Sequence, residues 1–199
     1  MKLRIISGAL KGRYVTLNDD VDVNGFRPTQ ERVRESVAEV LKRRLRGAVA
    51  ADVCAGSGAF GFEMLSRYAA RVDFVEADKR AALRISENAK ALGVEGRARV
   101  VREDVKKFID KTPGGGVYDI IFYDPPYGDA ELSGLIPKLF GLVRPRGLLV
   151  YERRRLPTEK KAADTAGKAN LTDVRLYSDT AVEFYGGSGD ADSDLPGDV

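Results

Sequence analysis

The chain has 199 residues, 43% of them hydrophobic, with 33 Lys and Arg against 30 Asp and Glu for a formal net charge of +3. That length supports one core and no apolar run reaches the ~18 residues of a membrane span, so a single globular domain with small appendages is expected. Histidine is absent and cysteine occurs once, which excludes Ser-His and Cys-His nucleophiles, a disulfide framework and the zinc site of a nucleobase deaminase, and no metal is expected.

Met1-Lys2-Leu3-Arg4 opens no secretory signal pattern, so a cytoplasmic location is expected. Lys2 to Gly8 and Gly12 to Leu17 read as two short strands around a glycine-containing turn, a hairpin carrying Lys2, Arg4, Lys11 and Arg13. Residues 1–46 hold eleven basic against six acidic side chains. The excess suits RNA phosphates, whose contacts give affinity and register without reading sequence, although a solvated hairpin would look the same. Gln30 to Leu45 places Val33, Val37, Val40, Leu41 and Leu45 on one face of an amphipathic helix, leaving Arg34, Lys42, Arg43 and Arg44 as a solvated face.

Ala50 to Cys54 reads as a buried strand running into the glycine turn Ala55-Gly56-Ser57-Gly58-Ala59-Phe60-Gly61 and then a helix. Gly56 and Gly58 let the backbone approach a ligand, and the helix start offers N–H groups and a positive dipole end. Gly56-x-Gly58-x-x-Gly61 is also the dinucleotide fingerprint, but Asp52, just ahead of it, repels a diphosphate and suits a cationic ammonium group. S-adenosylmethionine carries an ammonium beside a carboxylate. On this reading Ala55, Gly56, Ser57 and Gly58 hold the carboxylate while Asp52 faces the positive end. Cys54 is expected in the strand as a buried thiol rather than a nucleophile.

Arg71 to Glu76 and Ala98 to Asp104 are two further strands ending in acids. Glu76 is assigned to the ribose hydroxyls and Asp104 to the adenine amino group; a helix N-cap or a solvated strand end is the competing use of either. Tyr118 to Phe122 then runs into Tyr123-Asp124-Pro125-Pro126-Tyr127. Each proline fixes its φ and removes an N–H, so the loop presents carbonyl acceptors and one carboxylate with little freedom left. Asp124, Pro125, Pro126 and Tyr127 are the candidate catalytic residues, a rigid acceptor site for an aromatic amine with Tyr127 as a stacking face. The strand-end acids stand at positions 52, 76, 104 and 124, intervals of 20 to 28 residues. Each interval has room for a helix and a strand, which predicts βαβ units, a parallel sheet covered on both faces, and all four acids in one crevice beyond the strand ends.

Gly147 to Glu152 is a fifth strand, followed by Arg153-Arg154-Arg155, which suits either a solvated face or RNA. Residues 156–170 read as a polar, helical connection. Leu171 to Tyr177 and Thr180 to Tyr185 alternate as a closing antiparallel hairpin across Ser178-Asp179, completing seven strands. Residues 186–199 carry four aspartates and no Lys or Arg and are expected to be a disordered tail, which leaves the body at +7.

Taken together, Arg4-Ile5-Ile6-Ser7-Gly8, Lys11-Gly12-Arg13, Arg27-Pro28-Thr29, Arg32-Val33-Arg34-Glu35, the Asp52 to Gly61 turn, Val75-Glu76, Asp124-Pro125-Pro126-Tyr127 and Tyr177-Ser178-Asp179-Thr180 closely resemble the bacterial RsmD-type methyltransferases. These modify a guanine amino nitrogen in small-subunit (16S) ribosomal RNA, and the resemblance covers residues 3–185. It implies an α/β fold, the class I S-adenosylmethionine-dependent (Rossmann-like) seven-stranded sheet in the order 3-2-1-4-5-7-6, with an RNA-binding N-terminal β-hairpin extension at 1–26, the methyltransferase domain at 27–185 and the acidic tail at 186–199. It also implies Arg27 and Thr29 near the mouth of the site, S-adenosylhomocysteine as product, and small-subunit RNA within an assembling ribosomal particle as substrate of a monomeric enzyme. Cys54, where a bulkier apolar residue is usual, and the tail are the departures. The Asp-Pro-Pro-Tyr loop itself does not choose the base. An amino methyltransferase acting on adenine or cytosine, in DNA or another RNA, remains open, as does a non-catalytic nucleotide-sensing or RNA-binding module.

Overall fold

The N-terminal residues form β1 (Lys2–Arg4) and β2 (Tyr14–Thr16), an antiparallel pair with Leu3 opposite Val15. The structure is a computed structural model that describes residues 1–17, 28–126, 128–157, 159 and 169–186, with only the backbone of residues 28–30. The pair is a sheet of its own, held to the body through its connecting turn. The Ile6 and Ser7 N–H groups donate to the buried Glu63 carboxylate at 2.9 and 3.1 Å. Thr16 exchanges two hydrogen bonds with the Asn88 side chain, at 3.0 and 2.9 Å.

Two helices follow, α1 (Pro28–Val40) and α2 (Lys42–Leu45), where a single helix was expected. The chain bends at Leu41, although the Leu41 and Leu45 N–H groups still donate to the carbonyls of Val37 and Leu41. The bend leaves every expected apolar residue buried, because Val33, Val37, Val40, Leu41 and Leu45 each turn inward.

The main sheet comprises β3 (Val49–Val53), β4 (Arg71–Val75), β5 (Ala98–Val101), β6 (Tyr118–Tyr123), β7 (Val143–Arg154), β8 (Leu171–Leu176) and β9 (Thr180–Gly186), in the order β5-β4-β3-β6-β7-β9-β8. Counted from β3, this is 3-2-1-4-5-7-6. The first five strands are parallel, and β9 runs antiparallel to both β7 and β8. The crossovers are α3 (Ala59–Ser66), α4 (Lys79–Leu92) and α5 (Val105–Lys111), and α6 (Ala130–Ser133) and α7 (Ile136–Phe140) precede β7. The last two were not expected, since four or five residues are too few to display a helical period.

Alternation along the strands divides the core. Ala50, Ile120, Phe122, Leu148 and Val150 pack with residues of α1, α3 and α4, whereas Ala51, Ile121, Tyr123, Leu149 and Tyr151 pack with residues of α5 and α7. The strand order reverses between β3 and β6, so a crevice opens beyond their carboxyl ends. The helical connection expected at 156–170 and the tail fall mostly outside the described residues.

Candidate active site

At the end of β3 the chain turns at Cys54, whose φ of 61° is left-handed. This corrects the expectation of a buried strand cysteine: the strand stops at Val53, and Cys54 is half-buried in the wall of the crevice. Burial, with Glu76, Asp124 and Asp52 nearby, pushes its thiol up to about 12, so it is no nucleophile at neutral pH. The glycines of the turn do different work. Gly56 has a φ of 53° and open space where a Cβ would stand, so a ligand can approach its backbone. At Gly61 a Cβ would lie 2.2 Å from the Phe74 ring, so this residue lets α3 press against β4.

Glu76 follows β4 and closes the turn from the other side. Its Oε2 accepts from the Gly56 N–H at 2.7 Å and its Oε1 from the Asp78 N–H at 2.8 Å. Because β5 ends at Val101, Asp104 lies outside the strand, where it caps α5. Its Oδ1 accepts from the Lys107 N–H at 3.0 Å, and that bond is the main reason its carboxyl titrates below the usual range. The cap uses one oxygen, and Asp104 still lines the cavity. This cavity, of about 540 Å³, is bounded by Gly56, Glu76, Asp104, Asp124, Pro125 and Pro126, together with Glu103, Val105 and Leu132. The last three were missed in the sequence. Glu103 and Val105 flank Asp104 and could have been suspected, whereas Leu132 arrives on the unforeseen α6.

Asp52 does not share that cavity, contrary to the expected single row of acids. It is 2% exposed and accepts the Gly61 N–H at 2.8 Å. The β3–β6 register places it beside Phe122. There it opens on a second cavity, of about 210 Å³, with Arg34, Ser57, Phe60, Phe122 and Glu152. Burial raises the Asp52 carboxyl to about 7, eased by the Gly61 N–H and reinforced by Glu76. The two cavities meet at Cys54, Gly56 and Asp124. Asp124 continues from β6, donates its N–H to the Val53 carbonyl at 3.2 Å and stands in both walls. Desolvation first, then Glu152 and Asp52, holds its carboxyl well above the usual range. Pro125 is buried and Pro126 exposed. Tyr127, Arg27 and the Thr29 side chain lie outside the described residues.

Two basic expectations need correction. Arg34, read as part of a solvated face, is half-buried in the second cavity and donates to the Arg4 carbonyl at 3.3 Å. Desolvation lowers its pKa against the opposing pull of Glu63, Glu31 and Glu35. Arg13, placed among the RNA contacts, is exposed and donates to the Ala91 and Leu92 carbonyls at the C-terminal end of α4, a favourable place for a cation. Arg153 and Arg155 serve the fold: Arg153 pairs with Glu183 at 2.7 Å and with Glu159 at 2.6 Å, and Arg155 donates to the carbonyls of Tyr177 and Glu159. Lys2, Arg4 and Lys11 are exposed.

The chain is similar to several known proteins. The family model described as conserved hypothetical protein 95 matches residues 3–186. Ribosomal RNA small subunit methyltransferase D of Escherichia coli (strain K12) is 35% identical over 151 residues, which is 76% of this chain and 71% of that protein. The solved structure titled "Putative methyltransferase yhhF from Escherichia coli" superposes with a TM-score of 0.76 at 30% identity, covering 94% of this chain and 98% of that one. A SAM-dependent methyltransferase from Agrobacterium tumefaciens, 19% identical, shares the fold with a TM-score of 0.61 over 81% of this chain and 63% of its own.

Proposed function

Because the chain belongs to the ribosomal RNA small subunit methyltransferase D family, we propose that it methylates the exocyclic amino nitrogen, N2, of a guanine in small-subunit ribosomal RNA, using S-adenosylmethionine. The observation that carries this reading is the position of Asp124 in the wall common to both cavities; on this reading one takes the methyl donor and the other the acceptor base. The first cavity, at about 540 Å³, lies in the range of small-molecule and cofactor sites. Glu76 and Asp104 suit a ribose and an adenine amine there, and the open space at Gly56, whose N–H is held by Glu76, lets the cofactor approach the turn. When bound, S-adenosylmethionine supplies a methyl group on a sulfonium centre.

The residues of the chain prepare the acceptor. Guanine N2 is a poor nucleophile because its lone pair is delocalised into the ring. The Asp124 carboxylate and the Pro125 carbonyl accept its two N–H bonds, favouring the pyramidal nitrogen of the transition state and the positive charge that develops on it. Those donors also favour the ionised form of Asp124, against the desolvation that raises its pKa. The released proton passes to Asp124 or, through it, to water. Tyr127 stacks on the base, worth roughly 1–3 kcal/mol. Residues 1–26 serve as an RNA-binding extension of the domain at 27–185, with Arg27 and Thr29 at the mouth. The protein works as a cytoplasmic monomer on an assembling particle. Mass mapping of methylated nucleosides in small-subunit RNA from cells with and without the protein tests this function. A guanine that loses its N2 methyl group in the deletion strain supports it, and an unchanged map overturns it.

Three expected outcomes follow from the parts. Glu76→Ala should weaken S-adenosylmethionine binding in calorimetry, since the side chain both faces the cofactor and ties down Gly56 at 2.7 Å. Wild-type affinity would contradict the assignment.

Asp52 brings a pH dependence. Its carboxyl is raised from 3.8 to about 7 on folding, so the stability it contributes is fully present below 3.8 and is lost as pH rises through about 7. The melting temperature relative to Asp52→Asn should therefore fall as pH rises to about 7 and then level off in thermal melts.

Replacing Lys2, Arg4 and Lys11 with Gln should reduce the slope of log affinity against log salt by roughly 0.7–0.9 per lost phosphate contact in RNA filter binding. An unaltered slope would place the RNA elsewhere.

A further inference from the structure

The second cavity holds more charge than the transfer step requires. β6 and β7 run parallel with Phe122 beside Val150 and Tyr123 beside Tyr151, so the next pair in register is Asp124 and Glu152. Glu152, 8% exposed, stands with Asp124 in the cavity wall. Burying two neighbouring carboxylates is expensive unless something compensates them. Phe122, two residues before Asp124, and Phe60 stack at 3.8 Å and form the apolar floor between them and α3. Arg34 reaches in from α1. One of its N–H groups is committed to the Arg4 carbonyl, and a guanidinium has five.

Guanine presents two donors and one acceptor along its Watson–Crick edge: the N2 amine, the ring N1–H and the O6 keto oxygen. We propose that Glu152 and Arg34 are the residues that select guanine, the Glu152 carboxylate accepting N1–H beside the amine held by Asp124 and the Arg34 guanidinium donating to O6. This rests on the reading of N2 methylation given above and adds the discriminating groups. Adenine and cytosine each have a single amine flanked by a ring nitrogen lone pair. Set against Glu152, that lone pair meets a carboxylate that can only accept, and the pair repels. Sites built to hydrogen-bond a donor reject analogues that lack it far more strongly than apolar pockets reject a change of size, and flipped bases are read on this edge. A carboxylate has about four acceptor positions, so Glu152 can take N1–H in addition to a contact within the protein.

The test uses small subunits reconstituted with RNA that carries guanine or 2-aminopurine at the mapped position. 2-Aminopurine keeps the reacting amine but has a bare N1 and no O6. Wild-type enzyme should prefer guanine by at least about 100-fold in kcat/KM, given the losses seen when a required hydrogen bond is missing. Glu152→Gln, whose amide can donate to a bare N1, should narrow that preference at least about tenfold, and Arg34→Met should narrow it through the loss of O6 recognition. Where turnover is too low to measure, the same ratio is read from binding of the two particles to the S-adenosylhomocysteine complex. A ratio unchanged in both variants, with guanine and 2-aminopurine falling together, overturns the assignment, as does a wild-type enzyme indifferent to the two bases. Failure of the wild-type enzyme to methylate guanine at all while binding S-adenosylmethionine would instead defeat the N2 reading itself.

Discussion

Asp124→Ala is expected to lower kcat by roughly 10²–10³-fold, the usual loss for one well-aimed group that stabilises developing charge, while S-adenosylmethionine affinity stays near that of the wild type. The separation follows from geometry. The proposed cofactor contacts, at Gly56, Glu76 and Asp104, follow β3 and β4 and cap α5, whereas Asp124 arrives at the end of β6 in the wall shared with the second cavity. Its proposed contribution is to the amine. A carboxylate in this place has a second effect, because Glu152 and Asp52 already crowd it and desolvation already raises its pKa. Removing it relieves that crowding, so the variant should melt no lower than the wild type even as turnover collapses. Single-turnover methyl transfer, cofactor calorimetry and a thermal melt on one preparation measure all three quantities. An equal loss of cofactor binding and turnover would show that Asp124 shapes the donor cavity rather than activating the base.

Gly61→Ala should do the reverse, destabilising the fold by roughly 1–3 kcal/mol or more through overpacking and lowering Tm by roughly 2–4 °C for each kcal/mol. A Cβ there would lie 2.2 Å from Phe74 Cε1, 2.7 Å from Phe74 Cζ and 2.9 Å from Asp52 Oδ2. None of these can retreat cheaply. Phe74 is fully buried and packs on the Phe62 ring at 4.9 Å, while Asp52 is held by the Gly61 N–H itself at 2.8 Å. Any shift of α3 that relieves the clash also lengthens the bond that satisfies the buried acid. Cofactor affinity should therefore fall with stability. Gly96→Ala is the control, since a Cβ there meets nothing within 4 Å; its Tm should match the wild type. Differential scanning calorimetry of the pair decides the matter, and equal melting temperatures would mean that the turn tolerates a side chain.

Much of the architecture was legible from residue order alone. Strand-end acids recurring every 20 to 28 residues, each after a short apolar run, require a crossover helix between parallel strands, and the sheet has that form. The closing hairpin was readable from its alternation, and β8 and β9 pair antiparallel with Leu176 opposite Ala181. The glycine turn and the Asp-Pro-Pro loop were readable because proline and glycine act locally, through the φ values they permit. Short elements escaped notice, as α6 and α7 did, for want of a period.

What the linear pattern could not contain was the direction in which each polar side chain points once the layers close. Asp52, Glu76, Asp104 and Asp124 look alike in sequence, four acids at four strand ends. Packing separates them: Asp52 faces the α3 side and pairs with the Gly61 N–H, Asp104 caps α5, Glu76 ties the glycine turn, and Asp124 stands between two cavities. Arg34 shows the same limit in the other direction, since helical periodicity marked it as surface charge, and the sequence did not show what exposed Arg13 would bond to. Arg34, on α1, lines the second cavity, and Arg13 finds the carbonyl end of α4 some 79 residues away in the chain. Local backbone preference and hydrophobic spacing are properties of neighbours along the chain, so they determine elements and their order. Burial, desolvation and the partner each charge acquires depend on contacts between distant segments, and only the assembled tertiary structure decides them.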